Sequence, residues 1–141
     1  MNDPCFYRIS VKGIAIDEKG RFLLSREDNG MWDMLGGGLE HGEDPITCLK
    51  REIKEEAGLI VTYFSPTPKY LITAPKLGRE TFMANVVYEI KLASLEFTPS
   101  NECQELRYFS VEEAKKVEIF PTILKLLEVY NPKLHISSTK R

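Results

Sequence analysis

The 141-residue sequence is short of cysteine, of long apolar runs and of net charge, and each shortage excludes a class of protein. Its three cysteines, Cys5, Cys48 and Cys103, are odd in number and lack metal-ligand spacing. A disulfide scaffold or a thiolate zinc site is therefore not expected, and a reducing, cytoplasmic home is. The net charge is −2, with no basic stripe beyond Lys140-Arg141. A DNA or RNA duplex is thus not an expected partner, nor is a membrane surface. No apolar run is long enough to span a bilayer. Met1-Asn2-Asp3-Pro4 has no charged start followed by an apolar stretch, so no secretory signal is visible. Internal repeats and low-complexity linkers are absent too. The length suits one domain over residues 1–141, with a loose tail from about residue 132.

What is present alternates between strand and helix signals. Phe6 to Asp17 is rich in β-branched and apolar residues and reads as a strand. Glu18-Lys19-Gly20 reads as a turn, and Arg21 to Arg26 as the returning strand of a hairpin. A short apolar piece, Met31 to Leu35, leads into Gly36-Gly37-Gly38, which alone would read as a flexible turn. Asp44-Pro45 opens a helix, with Asp44 at the N-cap and Pro45 at the first helical position. The helix runs to about Ala57, and Gly58 is its left-handed stop. Further strands are predicted at Leu59–Phe64, Tyr70–Ala74, Thr81–Leu92 and Leu106–Phe109. Ser110-Val111-Glu112-Glu113 is a capping-box pattern for a short helix through about Lys116. Phe120 to Val129 has apolar residues at helical spacing. Interleaved strands and helices predict a layered α/β or α+β domain.

The Asp44–Ala57 helix carries an anomaly. Glu52, Glu55 and Glu56 stand at i, i+3 and i+4 in one sector near its C-terminal end. Like charges at that spacing repel, and the helix dipole there favours cations. A cation between the carboxylates would resolve the conflict. Hard divalent ions such as Mg²⁺ take oxygen ligands and share their sites with substrate phosphates. The glycines upstream would let backbone approach a metal or a phosphate closely. Arg51 lies one turn before Glu55 and can hold its carboxylate, while Glu43 on the preceding loop can accept from Arg51 or from the helix start. The apolar face of the helix is Ile46, Leu49, Ile53 and Ala57.

The segment Gly37 to Leu59 resembles the Nudix box. Gly37, Glu43, Arg51, Glu52, Ile53, Glu55, Glu56, Gly58 and Leu59 fill the fixed positions of that pattern. The upstream strands, Trp32 before the glycines, and Glu102 to Phe109 followed by Ser110 extend the similarity over most of the chain. One departure is Leu35, where the family commonly has proline. The resemblance implies an α/β/α sandwich around a mixed β-sheet. It implies hydrolysis of the pyrophosphate linkage of a nucleoside diphosphate joined to another group, with Mg²⁺ or Mn²⁺ as cofactor and a small nucleotide as partner. A homodimer is compatible with it. It assigns Glu52, Glu55 and Glu56 as metal ligands, with the carbonyl of Gly36 completing the site, and Arg51 as the orienting arginine.

The general base is left among Glu52, Glu102 and Glu105, with Glu52 favoured in the box and Glu102 on the later loop. A proline at position 75, sixteen residues past Leu59, leans toward ADP-ribose; the small size leans toward nucleoside triphosphates. Two alternatives stand beside this reading. One is a nucleotide sensor that keeps the fold without turnover. The other is an isoprenoid diphosphate isomerase, which would need Cys48 or Cys103 as its cysteine. Trp32 is expected as core or cleft wall, Tyr88 and Phe82 are expected in the core, and His41 is expected to be exposed.

Overall fold

The computed structural model describes residues 5–135. In chain order the elements are β1 (Tyr7–Ile14), β2 (Phe22–Arg26), β3 (Trp32–Asp33), β4 (Leu35–Gly38), α1 (Pro45–Ala57), β5 (Val61–Phe64), β6 (Tyr70–Pro75), β7 (Phe82–Leu92), β8 (Glu105–Phe109), α2 (Val111–Ala114) and α3 (Pro121–Val129). The central sheet is mixed. β1 runs parallel to β7, with Tyr7 opposite Phe82 and Ile14 opposite Glu89. β4 flanks β1 antiparallel, and β6 and β5 share the other edge of the long β7. A second, antiparallel sheet has the order β3-β2-β8.

Strand alternation sends successive side chains to opposite faces, so each buried strand serves two cores. Val11 joins Leu49, Ile53 and Ala57 of α1 in one cluster. Ile14 joins Val87, Ile72, Ile123 and Leu126 in the other, beneath α3. Burying a Leu or Ile side chain of this kind stabilises by roughly 1.5–3 kcal/mol. Helices on both faces of the mixed sheet make the α/β/α sandwich that the box pattern implies. Among the described residues no helix is long and apolar enough to cross a membrane.

Several local expectations are corrected. The expected hairpin closes only locally: Asp17 N–H donates to the Arg21 carbonyl, Leu23 N–H to the Ala15 carbonyl, and Ile16 bridges Phe22 antiparallel, while the main spans of β1 and β2 belong to different sheets. The Asp17 carboxylate accepts the N–H groups of Lys19 and Arg21, and this turn carries the chain from one sheet to the other. Gly36-Gly37-Gly38 is strand rather than flexible turn, registered against Lys12, Val11 and Ser10. α2 ends at Ala114, earlier than expected, although its capping box forms in full. Phe82 is half exposed against Tyr7 rather than in the core. Part of the segment expected to be loose is tied down. Pro132–Leu134 forms a 3₁₀ turn, and His135 bonds Tyr70 Oη (2.7 Å) and Glu89 Oε1 (3.0 Å). The remainder of that segment, residues 136–141, lies outside the described residues.

Candidate active site

Helix α1 is placed by its ends and its apolar stripe. Asp44 accepts from the Thr47 N–H, Pro45 opens the first turn, and Gly58 closes the helix at φ 67°. With Leu49, Ile53 and Ala57 fixed against the sheet, Arg51, Glu52 and Glu55 turn to the cleft beside β4. Arg51 organises that side. It grips Glu43 with two parallel bonds, Nε to Oε2 at 2.8 Å and Nη2 to Oε1 at 2.9 Å. Its Nη1 donates to Glu52 Oε2 at 2.7 Å and to Glu55 Oε2 at 3.3 Å. Such charge-assisted forks are strong and directional. The Arg51 hydrogen bonds hold the Glu43 carboxyl down at about 2, well below the usual carboxylate range. Burial pushes Glu52 up, and Arg51 pulls against it.

Glu56 lies on the other side of this sector and is only 7% exposed. Its Oε1 accepts the Gly36 N–H at 2.6 Å. Burial pushes its carboxyl up to about 8, opposed by Lys12 and by the Gly36 bond and assisted by the charges of Glu102 and Asp33. Lys12, buried on β1, donates to Asp33 Oδ2 (3.2 Å), the Met34 carbonyl (3.3 Å) and the Gly36 carbonyl (3.2 Å). Burial alone would lower the Lys12 ammonium, but Asp33 and Glu56 outweigh it and hold it above its ordinary value. Glu27, half-buried at the end of β2, is raised to about 7 by burial and then by Asp33, with Lys12 opposing.

The predicted acidic sector is thus divided. Glu52 and Glu55 are drawn to Arg51, whereas Glu56 turns toward Gly36 and Lys12. In this arrangement the described residues hold no converged group of three His, Cys, Asp or Glu in metal-binding geometry. The donor chemistry nevertheless fits a hard divalent ion, since every candidate atom is a carboxylate or carbonyl oxygen. Glycine at 37 belongs to the fit as well, because a Cβ there would overlap the Glu52 carboxylate. The Gly36 carbonyl, expected as a ligand, accepts from Lys12. At Gly36 φ is +126°, and a side chain would strike the Val11 carbonyl and Lys12 Cα.

Among the base candidates, Glu102 sits in the turn before β8, close enough to raise both Glu56 and Glu27. Glu105 is engaged elsewhere, by Arg26 (3.3 Å) and Arg107 (2.9 Å). Cys48 is buried, its thiol against the Gly37 and Gly38 carbonyls, and burial pushes it up to about 11. Trp32 is core, edge-on to Phe109 at 4.9 Å and capped by Arg107. His41 is exposed. Sequence reasoning missed Lys12, Glu27 and Asp33. The available signal was a lysine flanked by Val11 and Gly13 in the buried half of β1.

The NUDIX domain pattern matches residues 6–129. The chain belongs to the Nudix hydrolase family. A MutT-like protein of Streptomyces ambofaciens is 44% identical over 59 residues, covering 41% of this chain and 38% of that protein. The match therefore spans well under half of that relative's length. The nucleoside triphosphatase NudI of Klebsiella pneumoniae is 29% identical over 116 residues, covering 74% of this chain and 83% of that one. In fold the chain is similar to the E. coli ORF135 protein, with a TM-score of 0.69 at 22% identity and 88% of each chain covered.

Beside the box, this Nudix domain has a recess of about 160 Å³ between the central sheet and the start of α3. Lys12 and Asp33 line it, so it adjoins the Glu56 cluster. Ser10 and Asn85, cross-strand partners on β1 and β7, line its sheet side, and Met83 and Phe120 form apolar walls.

Proposed function

We propose that the protein is a divalent-metal-dependent pyrophosphohydrolase that cleaves the phosphoanhydride bond of a nucleoside diphosphate linked to a further group, of nucleoside triphosphate or ADP-ribose type. The observation that carries this reading is the Arg51 fork, which presents Glu52 and Glu55 beside the Gly36-Gly37 backbone while Glu56 reaches the same backbone from the buried side. Glu52, Glu55, Glu56 and the Gly36 carbonyl would hold Mg²⁺ or Mn²⁺. When bound, the ion neutralises phosphate charge and polarises phosphorus. Arg51 fixes the carboxylates before substrate arrives, with Glu43 as its counterweight. Glu102, on a turn outside the helix, is suited to take the proton of the attacking water. Lys12 balances the buried carboxylates of Asp33 and Glu56. The free thiols of Cys5, Cys48 and Cys103 support a reducing, cytoplasmic setting.

A panel of nucleoside triphosphates, ADP-ribose and nucleotide sugars, incubated with Mg²⁺ and read by ³¹P NMR, tests the reading. Release of a nucleoside monophosphate or diphosphate that stops on chelation is the expected result. ¹⁸O-water then marks the phosphorus attacked. Tight binding with no turnover under any divalent ion would replace the enzyme with a sensor. The isomerase alternative is disfavoured by the cysteines: Cys48 and Cys103 are buried thiols, both raised chiefly by burial.

A further inference from the structure

The recess beside the box contains an unmet hydrogen-bonding group. Asn85 is 1% exposed, and its Oδ1 has no hydrogen-bond partner among the described residues. Buried polar atoms are rarely left so, because water that would have satisfied them has been removed. Asn85 sits on β7 opposite Ser10 of β1 and Ile72 of β6, on the same sheet face as Lys12 and Ile14. Farther along, that face is apolar core, with Ile14, Val87 and Ile72. A polar stripe on a core face, opening into a cavity, is a recognition surface more readily than a packing surface.

The chemistry of the lining defines the guest. Lys12 has three N–H donors and engages three oxygens with them, so it has none to offer. Asp33 accepts from Lys12 and from the Met34 N–H (2.7 Å) and, as a carboxylate, keeps lone pairs in reserve. Ser10, Lys76 and Thr122 also line the recess, and among the buried side-chain atoms described there Asn85 Oδ1 is the one acceptor left without a donor. Leu77 and Phe120 add apolar walls, and Met83 lies beside Asn85 on the same face of β7. A cavity of about 150 Å³ admits a benzene ring. The recess therefore suits a flat heteroaromatic ring with apolar faces and an N–H-donating edge. Lys12 bridges the recess and the Gly36 carbonyl, so the ring end and the acidic end of a ligand would lie on either side of one side chain.

We propose that this recess holds the nucleobase of the substrate and that Asn85 Oδ1 accepts a hydrogen bond from the exocyclic amino group of that base. The proposal deepens the pyrophosphohydrolase reading and rests on it for the nucleotide as ligand. It makes Asn85 a specificity-determining residue: amino-bearing bases are favoured over their oxo counterparts, which would set an oxygen against Oδ1.

Calorimetric binding of matched monophosphates tests this without turnover, using AMP against IMP and CMP against UMP. The wild-type protein should bind the amino member of at least one pair about tenfold more tightly, as expected when a buried acceptor loses its donor. In Asn85→Leu that ratio should collapse toward one; Asn85→Ser serves if the leucine variant does not fold. Equal binding within both pairs, preference for the oxo member, a ratio that survives both substitutions, or no binding of any of the four would overturn the proposal. The two readings fail separately. Nucleotide hydrolysis without base discrimination leaves the enzyme and removes this subsite. Discrimination by a protein that hydrolyses no nucleotide keeps the subsite and removes the enzyme.

Discussion

The carboxylate of Glu52 occupies the space that a side chain at Gly37 would fill. The glycine is thus part of the acidic site, since it sets how near the carboxylate can come to the β4 backbone. Gly37→Ala should displace Glu52 and loosen its bond to Arg51 while the strand register holds. An ångström-scale misplacement of a reacting group costs about 100-fold in rate. We expect kcat to fall by that order with little change in Tm, measured on whichever nucleotide the panel selects. Retention of full activity would remove Glu52 from the chemistry.

The Glu43–Arg51 fork predicts an acid-side loss of stability. The folded Glu43 carboxyl titrates at about 2, depressed by Arg51, whereas an unfolded glutamate titrates near ~4.3. A depressed carboxyl contributes its full stabilisation above the unfolded value and loses it as pH falls through the folded one. Thermal melts should therefore drop between about pH 5 and pH 2, and Glu43→Gln should flatten that part of the profile.

Much of this site was legible in the sequence because it is local. Arg51, Glu52, Glu55 and Glu56 lie within six residues of one helix, and Asp44, Pro45 and Gly58 mark its ends, so spacing alone places them. The interleaved strand and helix signals predict a layered domain, and the resemblance to the Nudix box is what implies the sandwich. What spacing could not supply was set by pairing between distant strands. Gly36-Gly37-Gly38 carries no strand signal, yet β1 recruits it as an edge strand. The parallel pairing of β1 with β7 joins residues 75 apart in the chain and is what puts Ser10 beside Asn85. Lys12 is a charge in the buried half of β1, and only the fold shows that Asp33 and Glu56 surround it. The division of the glutamate sector also escaped notice, because helical phase fixes where a side chain starts and not which partner it chooses. Glu56 chose the Gly36 amide.

Burying Glu56 sets function against stability. Its folded carboxyl lies at about 8 and that of Glu27 at about 7, both raised chiefly by burial. Raised carboxyls favour the protonated form, so their effect on stability runs opposite to that of Glu43. Stability should decline as pH rises from about 5 to 8, which puts the maximum between the two arms. Glu56→Gln keeps an acceptor for the Gly36 N–H and removes the buried charge. At pH 8 the variant should be more stable than wild type by about 1–2 kcal/mol. Below about pH 4, where the unfolded glutamate is protonated as well, the difference should vanish. Its kcat with Mg²⁺ should fall by about 10²–10³. A variant less stable than wild type at pH 8 would show that Lys12 needs the Glu56 charge more than burial opposes it.

The two loop carboxylates provide the remaining test. Glu102 bears on Glu56 and Glu27 from the turn before β8, whereas Glu105, three residues later, is tied to Arg26 and Arg107. A general base must be free to take a proton, and its removal costs about 10²–10⁴ in rate. Glu102→Gln should therefore lower kcat by that order. Glu105→Gln should leave kcat near wild type and cost less than about 1 kcal/mol, the scale of a surface ion pair. If neither substitution slows turnover, the proton goes to Glu52 inside the helix. In that case Glu52→Gln alone should abolish the acid limb of the pH–rate profile, which burial of Glu52 sets above the ordinary carboxylate range against the pull of the Arg51 bond at 2.7 Å.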